Sequence, residues 1–514
     1  MKRRALLKAT ALTATAIGPL AAACSSGDDD GGGGGNGNSG PKPGGTSASP
    51  PKAITAADWN ALGRGLEGKL IRPGDASYER AHRLYIPRFD RIKPAAIAYC
   101  AHPEDVAECV RFAAARHAPV AVRCGGHGYA GWSTGTGLVI DVSAMSTVTA
   151  TGGRAVVGSG TRLIDLYSKL ADRGLAVPAG TCPTVGVSGL TLGGGIGVTS
   201  RAYGLTCDVL ESAKVVTADG KILTCDANQN SDLFWACRGG GGGNFGVAAE
   251  FTYRTHPAES LTTLFLRWPW AQAATVIRGW QRWLASAPDS IWTSVHLDTE
   301  PADGVPQVQV VGAAVQDPSG DLNRLYAAIG TNPVGEQVRL HSYMDAMQLM
   351  AGCSGQTIGQ CHGQGGLPGQ APDGRFPRTE YAGKSHIALR PLPDAAIAAM
   401  TTRMVRGNSV KNRSVAMDAL GGAIGRVGPG ATAFPHRSGL FCMQYLENGL
   451  DHTWLRDLHG TMDQYVGGAA YVNYIDPELK DWSRAYYGDN RERLAKVKGT
   501  YDPGRLFTFP QAVS

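Results

Sequence analysis

The sequence predicts an α+β fold built from two unlike parts, and three observations carry that expectation. Between about residues 95 and 123, short apolar runs flank one amphipathic helical pattern, the signature of a β-α-β unit. Two glycine-rich stretches follow, Arg123–Gly131 (RCGGHGYAG) and Pro178–Gly197 (PAGTCPTVGVSGLTLGGGIG), each interrupting a strand and helix pattern. From about His256 to Gly468 the character changes. Trp268, Trp270, Trp280, Trp283 and Trp292 gather there, and strand-like pieces such as Gln307–Val311 mix with Ala-rich helices such as Pro393–Met400. A chain of 514 residues can bury a large core and usually divides into domains.

The chain opens on an export pattern. Lys2, Arg3, Arg4 and Lys8 precede a short apolar stretch, Ala9–Ala22, that ends in small residues. RRALLK resembles the twin-arginine signal, a route for proteins exported already folded. Leu20-Ala-Ala-Ala-Cys24 resembles a bacterial lipobox, with leucine four rather than three places before the cysteine. It implies a lipid on Cys24, while Ala21-Ala22-Ala23 would serve as an ordinary cleavage site. Residues 24–52 are Gly, Ser, Asp and Pro without core-forming residues, a linker that holds the folded part off a membrane. The expected location is the cell envelope or the outside.

The folded part starts near Ile54. Ala95–Cys100 is a short apolar run, and Pro103-Glu-Asp opens a helix: Pro suits the first turn and the acids its positive end. Val106, Val110, Ala113 and Ala114 share one face of it. Pro119–Arg123 is a strand that runs into the GGH loop and so delivers His127 at its C-terminal end, a common place for a ligand. Val139–Val142 and Ala155–Val157 read as further strands, and Arg162–Arg173 as a helix with Leu163, Leu166 and Leu170 on one side. Lys214–Val216 and Ile222–Thr224 flank Asp219-Gly220, a hairpin signal. Asp232–Cys237 is a short helix, Val247–Thr255 a strand, and Leu494–Lys498 a helix that Asp502-Pro503 stops. The tryptophans could line a sugar- or aromatic-binding cleft, or simply fill a core.

Composition removes several function classes. The formal charge is +6, with no Lys/Arg run beyond the N-terminus, so nucleic acid is not an expected partner. No apolar run approaches the ~20 residues that span a bilayer. Among eleven cysteines no CxxC pair has zinc spacing, so no metal site is expected. Cys353 and Cys361 bracket a short polar loop and are either a disulfide or two free thiols. Cys100, Cys109, Cys124, Cys207, Cys225, Cys237 and Cys442 lie in apolar segments as small hydrophobes. The glycine run Arg238–Gly246 is no P-loop, because no Gly-Lys-Ser/Thr follows, and neither run has the Rossmann pattern.

Two nucleophilic side chains, His127 and Cys182, therefore each sit on a glycine-rich loop. The segments RCGGHGYAGWS and PAGTCPTVGVSGLTLGGGIG resemble the two flavin-attachment segments of berberine bridge enzyme-like oxidases. That family has the FAD-binding fold of the p-cresol methylhydroxylase and vanillyl-alcohol oxidase class. The resemblance continues through RGGGGGNFGV and returns in YVNYIDPELKDW and AYYGDNRERLAKVKGTYDPGRLF. It implies a two-part FAD domain, residues 53–255 (core about 90–257) and 469–514, with an inserted substrate domain, residues 256–468. That inserted domain would be an antiparallel sheet flanked by helices.

The resemblance also implies roles. His127 would bond the flavin 8α-methyl carbon and Cys182 its C6, making the FAD bicovalent; an imidazole nitrogen and a thiolate are suitable nucleophiles. The same FAD would lie against Arg123, Gly125, Gly126 and Gly128 from the first loop. Thr181, Val185, Gly186, Gly189, Gly193, Gly194, Gly195 and Gly197 would meet it from the second. Asn244, Gly246, Val247, Asn473 and Asn490 complete the implied set. In the Y-x-N-Y motif Tyr474 would be the base that removes a substrate proton, with Tyr471 as the alternative. An ordinary tyrosine titrates near pH 10, so a base of this kind calls for a nearby cation. Val185, three places after Cys182, stands where valine marks the oxidases of the family and leucine tends to mark dehydrogenases. The implied activity is oxidation of an alcohol, sugar or related secondary metabolite by hydride transfer to FAD, with O2 as acceptor. A dehydrogenase using a quinone or other carrier, or a surface-anchored glycan-binding protein on a flavoprotein scaffold, are the alternatives.

Overall fold

The computed structural model of the chain describes residues 53–299, 305–406 and 413–514. The segment read as an export signal, Cys24 and the stretch read as a linker up to residue 52 lie outside the described residues.

A four-stranded sheet opens the fold, in the order Lys69–Ile71, Ala96–Tyr99, Leu138–Asp141, Val120–Arg123. The last three strands are parallel to their neighbours and the first is antiparallel. The helix that joins Ala96–Tyr99 to Val120–Arg123 spans Pro103–Arg116. Its two strands do not touch, because Leu138–Asp141 pairs between them. The reason is burial: Leu138–Asp141 is buried at all four positions, as a central parallel strand must be, while Val120–Arg123 is half-buried at alternate positions and suits an edge. Asp105, in the first helical turn, accepts from the amides of Glu67 (2.9 Å), Gly68 (2.9 Å) and Ala101 (2.8 Å), which ties the helix start to the loops on either side.

A five-stranded antiparallel sheet follows, in the order Val148–Thr151, Arg154–Gly158, Val247–Arg254, Leu210–Val216, Ile222–Asp226. The hairpin at Asp219-Gly220 forms with Val216 opposite Ile222. Gly220 takes φ +74°, and a Cβ there would lie 2.7 Å from the Arg111 side chain. The helix Leu163–Ala171 buries Leu163, Leu166 and Leu170.

The third layer is a seven-stranded antiparallel sheet, in the order Gly335–His341, Leu261–Trp268, Pro306–Ala314, Ile291–Thr299, Arg413–Ala419, Phe441–Asn448, Tyr381–Ala388. The helices Ala273–Leu284, Asp394–Met404 and Thr453–Val466 pack on it. On that side Val295, Leu297, Val415, Met417, Met443 and Tyr445 form a continuous core. The alternate positions, Trp292, His296, Ala416, Asp418 and Gln444, turn to the other face and toward the glycine loops. Trp268, Trp280 and Trp283 are core residues, with the Trp280 indole donating to Thr293 Oγ1 (2.9 Å). Trp270 packs against the same core, so of the five tryptophans Trp292 alone borders a cavity.

Cys353 and Cys361 are disulfide-bonded, with Cα atoms 5.7 Å apart. Cys100, Cys109, Cys207, Cys225, Cys237 and Cys442 are buried and free, and Cys124 is half-buried. The C-terminal tail returns to the glycine loops. The Lys498 ammonium donates to Asp502 and to the carbonyls of Asn244 and Phe507 (all 2.6 Å), and Tyr487 donates to the Gly240 carbonyl (3.1 Å).

Behind the large sheet lies a buried polar group. His386 bonds through one ring nitrogen to Tyr445 (3.0 Å) and through the other to Asp463 (2.7 Å), and its ring stacks on His459 at 4.2 Å. Burial, reinforced by His386, holds His459 down to about 4; burial does the same for His436 near the tail, also to about 4. Both are neutral in the fold, whereas an unfolded histidine titrates near 6.5. Their contribution is complete above pH 6.5 and is lost as pH falls toward 4, by on the order of 3 kcal/mol each. Thermal unfolding followed from pH 7 to pH 4.5 is expected to show falling stability, and His459→Gln should flatten that slope.

Candidate active site

One cavity of about 580 Å3 lies between the glycine loops and the inner face of the seven-stranded sheet. Its near wall is made by two loops in direct contact. A Cβ on Gly125 would lie 2.4 Å from the Gly186 amide nitrogen, and one on Gly186 would lie 2.0 Å from Cys124 Sγ. Glycine at both places is what allows the GGH loop and the Cys182 loop to press together. Gly126, at φ +69°, then turns the chain so that His127 enters the cavity.

His127 and Cys182 border this cavity together. His127 Nε2 is 2.9 Å from Thr184 Oγ1, and that hydroxyl is 3.9 Å from Cys182 Sγ. The imidazole stacks on Tyr85 with centroids 3.9 Å apart. Burial, with the Arg162 charge, pushes His127 down to about 3, so the ring is neutral. Burial raises the Cys182 thiol, opposed by hydrogen bonds from the Thr184 amide and hydroxyl and the Val185 amide. Gly128, Thr181, Val185, Gly189, Gly197 and Gly246 line the same space.

The far wall comes from the tail and the large sheet. Tyr474, in a short turn Val472–Tyr474, stacks on Tyr129 at 5.6 Å. Tyr129 in turn meets Tyr381 edge-on at 5.2 Å, and its hydroxyl accepts from the Gln444 amide. Tyr474 differs from expectation in one respect. Burial and then Asp418, Tyr129, Cys442 and Tyr471 all raise it well above the ordinary phenol range, and among the described residues no cationic side chain opposes them. Asp418, half-buried in the strand Arg413–Ala419, is itself raised by desolvation, with His296 and Ser294 acting the other way. A phenol and a carboxyl group thus share the wall, and the carboxyl is the stronger acid. Tyr471 also borders the cavity, but its hydroxyl accepts from the Gly195 amide (2.9 Å) and the Asn473 side chain (2.9 Å), which occupies it structurally. Asn473 lies at the cavity and donates to the Leu190 carbonyl (2.9 Å).

Seven residues implied by the resemblance stand back from the cavity lining. Arg123 faces the interior of the four-stranded sheet, paired with Asp141 and donating to the Ala81 carbonyl (2.8 Å). Gly193, Gly194 and Gly195 are close-approach positions, where a Cβ would meet Asn473 at 2.1 Å, Phe434 at 3.1 Å and Thr206 at 2.2 Å. Asn244 cross-links the tail by accepting from the Val513 amide (2.9 Å). Val247 begins a strand opposite Val216, and Asn490 donates to the Pro429 carbonyl (2.8 Å). Asp418, His296 and Gln444 join the site without having been read from the sequence. The signal for Asp418 was a single acid in the apolar run Val415–Leu420.

The wall fits a large polar cofactor. Ser133 Oγ and the Trp292 indole nitrogen are buried at the cavity without a hydrogen-bond partner, and Gly128 and Gly189 face open space where any side chain would intrude.

Comparison with known proteins agrees with this geometry. The family profile described as "FAD binding domain" matches residues 94–226, and that described as "Berberine and berberine like" matches residues 470–514. The chain is 31% identical to the uncharacterized FAD-linked oxidoreductase YgaK of Bacillus subtilis (strain 168), over 87% of this chain and 97% of that protein. It is 30% identical to the xylooligosaccharide oxidase of Thermothelomyces thermophilus, over 82% of this chain and 87% of that protein. Among solved structures, wild-type BBE-like 1 of Physcomitrella patens superposes with a TM-score of 0.80 at 28% identity, covering 88% of this chain and 98% of that one.

Proposed function

Because the chain belongs to the berberine bridge enzyme-like FAD-linked oxidoreductases, we propose that it oxidises a sugar or alcohol carbon, with O2 as the final acceptor and the FAD bonded to both His127 and Cys182. The observation that carries this reading is the convergence of His127 and Cys182 on one cavity, opposite Tyr474 and Asp418. Three relatives support the substrate class: the xylooligosaccharide oxidase above, a carbohydrate oxidase of Microdochium nivale and an Arabidopsis thaliana monolignol oxidoreductase.

FAD, when bound, supplies the two-electron sink. The protein's task is to hold the substrate and take the proton from its O–H group, since the neighbouring C–H gives up hydride readily only when that proton leaves. Asp418 is the acceptor we assign, because its carboxylate forms far more easily than the Tyr474 phenolate. Tyr474 then bonds the substrate oxygen and relays its proton. Tyr129 and Gln444 hold that phenol in place by stacking and by their own hydrogen bond. Anaerobic addition of oligosaccharides and aromatic alcohols, read as bleaching of the yellow flavin, tests the reading; if no member of either class bleaches it, the proposed substrate class is wrong. Slow recolouring in air would favour the carrier-linked dehydrogenase.

Val185 lies beside this cavity and is partly buried against the core. Leucine there adds one methylene to a close-packed wall, an insertion that costs roughly 1–3 kcal/mol where it must be accommodated. Val185→Leu is expected to slow reoxidation by air about tenfold, while anaerobic reduction by substrate barely changes. Stopped-flow mixing of photoreduced protein with oxygenated buffer measures it, and equal rates in both proteins would remove the gate.

A further inference from the structure

Thr184 sits between the two side chains proposed to bond the cofactor, and nothing in their roles requires it. It is buried, 8% exposed, and its hydroxyl stands 2.9 Å from His127 Nε2 and 3.9 Å from Cys182 Sγ. A hydroxyl has one hydrogen to donate and lone pairs to accept with. In the arrangement that satisfies both neighbours, Thr184 Oγ1 accepts from His127 Nε2–H and donates to the Cys182 sulfur. We propose that Thr184 is the positioning residue for covalent attachment, holding His127 in the tautomer whose lone pair is on Nδ1 and steadying Cys182 as the thiolate.

Four observations support it. The neutral imidazole must choose a tautomer, and a hydrogen-bond acceptor on Nε2 decides that choice. Tyr85 stacks flat on the ring at 3.9 Å, so the imidazole is confined in its plane while Thr184 sets its rotation within that plane. The Thr184 hydroxyl stands 3.9 Å from the sulfur, and the Val185 amide donates to the Cys182 carbonyl (3.3 Å), closing the turn that holds Thr184 beside Cys182. The contact of Gly125 with Gly186 joins the two loops and keeps Thr184 between them.

The chemistry balances without a further reagent. One bond joins an imidazole nitrogen to the flavin methyl carbon, and the other joins the sulfur to a ring carbon. Each consumes one hydrogen from the protein group and one from the cofactor carbon. For each bond one molecule of oxygen, the acceptor of the proposed reaction, takes the two hydrogens with their two electrons as hydrogen peroxide, so the two bonds consume two molecules.

This inference rests on the bicovalent reading, and the test separates the two. Full-length wild type, Thr184→Val and Thr184→Ser are purified with FAD, digested, and the flavin-bearing peptides weighed. Wild type should give one species joining the His127 and Cys182 peptides. Thr184→Val, which keeps the shape and loses the hydroxyl, should lower that cross-linked fraction at least fivefold in favour of singly linked or free FAD. Thr184→Ser should restore it, which a purely packing role of the threonine methyl would not allow. NMR of the isolated His127 flavopeptide should find the bond at Nδ1. A wild type without covalent flavin would overturn the bicovalent reading itself. A fully cross-linked Thr184→Val, an unrescued Thr184→Ser or a bond at Nε2 would overturn the role of Thr184 and leave bicovalency standing.

Discussion

Asp418→Asn should slow anaerobic flavin reduction by substrate by about 10²–10⁴-fold, the usual worth of a positioned general base. The argument is one of relative acidity at a shared wall. Burial raises both Asp418 and Tyr474, but Tyr474 starts from the phenol range and every group named as acting on it pushes it higher. Deprotonating it next to a carboxylate would place two negative charges in one apolar space. The carboxylate is therefore the final proton acceptor and the phenol a relay. Tyr474→Phe should cost less than Asp418→Asn, about 10-fold to 10²-fold, because water or direct contact can replace a relay, whereas losing the carboxylate removes the acceptor itself. Asparagine retains the shape of aspartate, so flavin content and thermal stability should be unchanged, which separates a chemical effect from a folding one. Stopped-flow reduction of both variants decides it, and the reverse order of losses would make Tyr474 the base.

The second large effect concerns cofactor retention. His127→Ala and Cys182→Ala should each keep FAD through acid precipitation, because either remaining bond holds it. The double variant should release all of its FAD into the acid supernatant. His127 and Cys182 lie 55 positions apart in the chain, yet Gly125 and Gly186 bring their loops into contact at one cavity. Two independent bonds on one rigid wall fail only together. Free FAD from the wild type after denaturation would exclude attachment at either residue.

The sequence by itself determined what short-range chemistry can write. Pro103 with Glu104 and Asp105 starts a helix wherever it is placed, and Asp219-Gly220 closes a hairpin because the turn needs a positive φ. The clustering of glycine around His127 and Cys182 was equally local, since backbone can approach backbone that closely only without side chains. Tertiary structure decided what depends on partners far along the chain. Leu138–Asp141 enters between two strands that the helix alone would have made neighbours, because the most buried segment takes the centre of a parallel sheet. Four tryptophans went to packing and Trp292 to the cavity, a division set by which face of the strand Ile291–Thr299 meets the helices. Asp418 acquired its place only when its strand paired with Ile291–Thr299 and turned that residue toward the tail. Arg123 and Asn244, though set in glycine-rich segments, went to an ion pair and a tail cross-link, because a buried charge or amide is held by whichever partner the packing brings within reach.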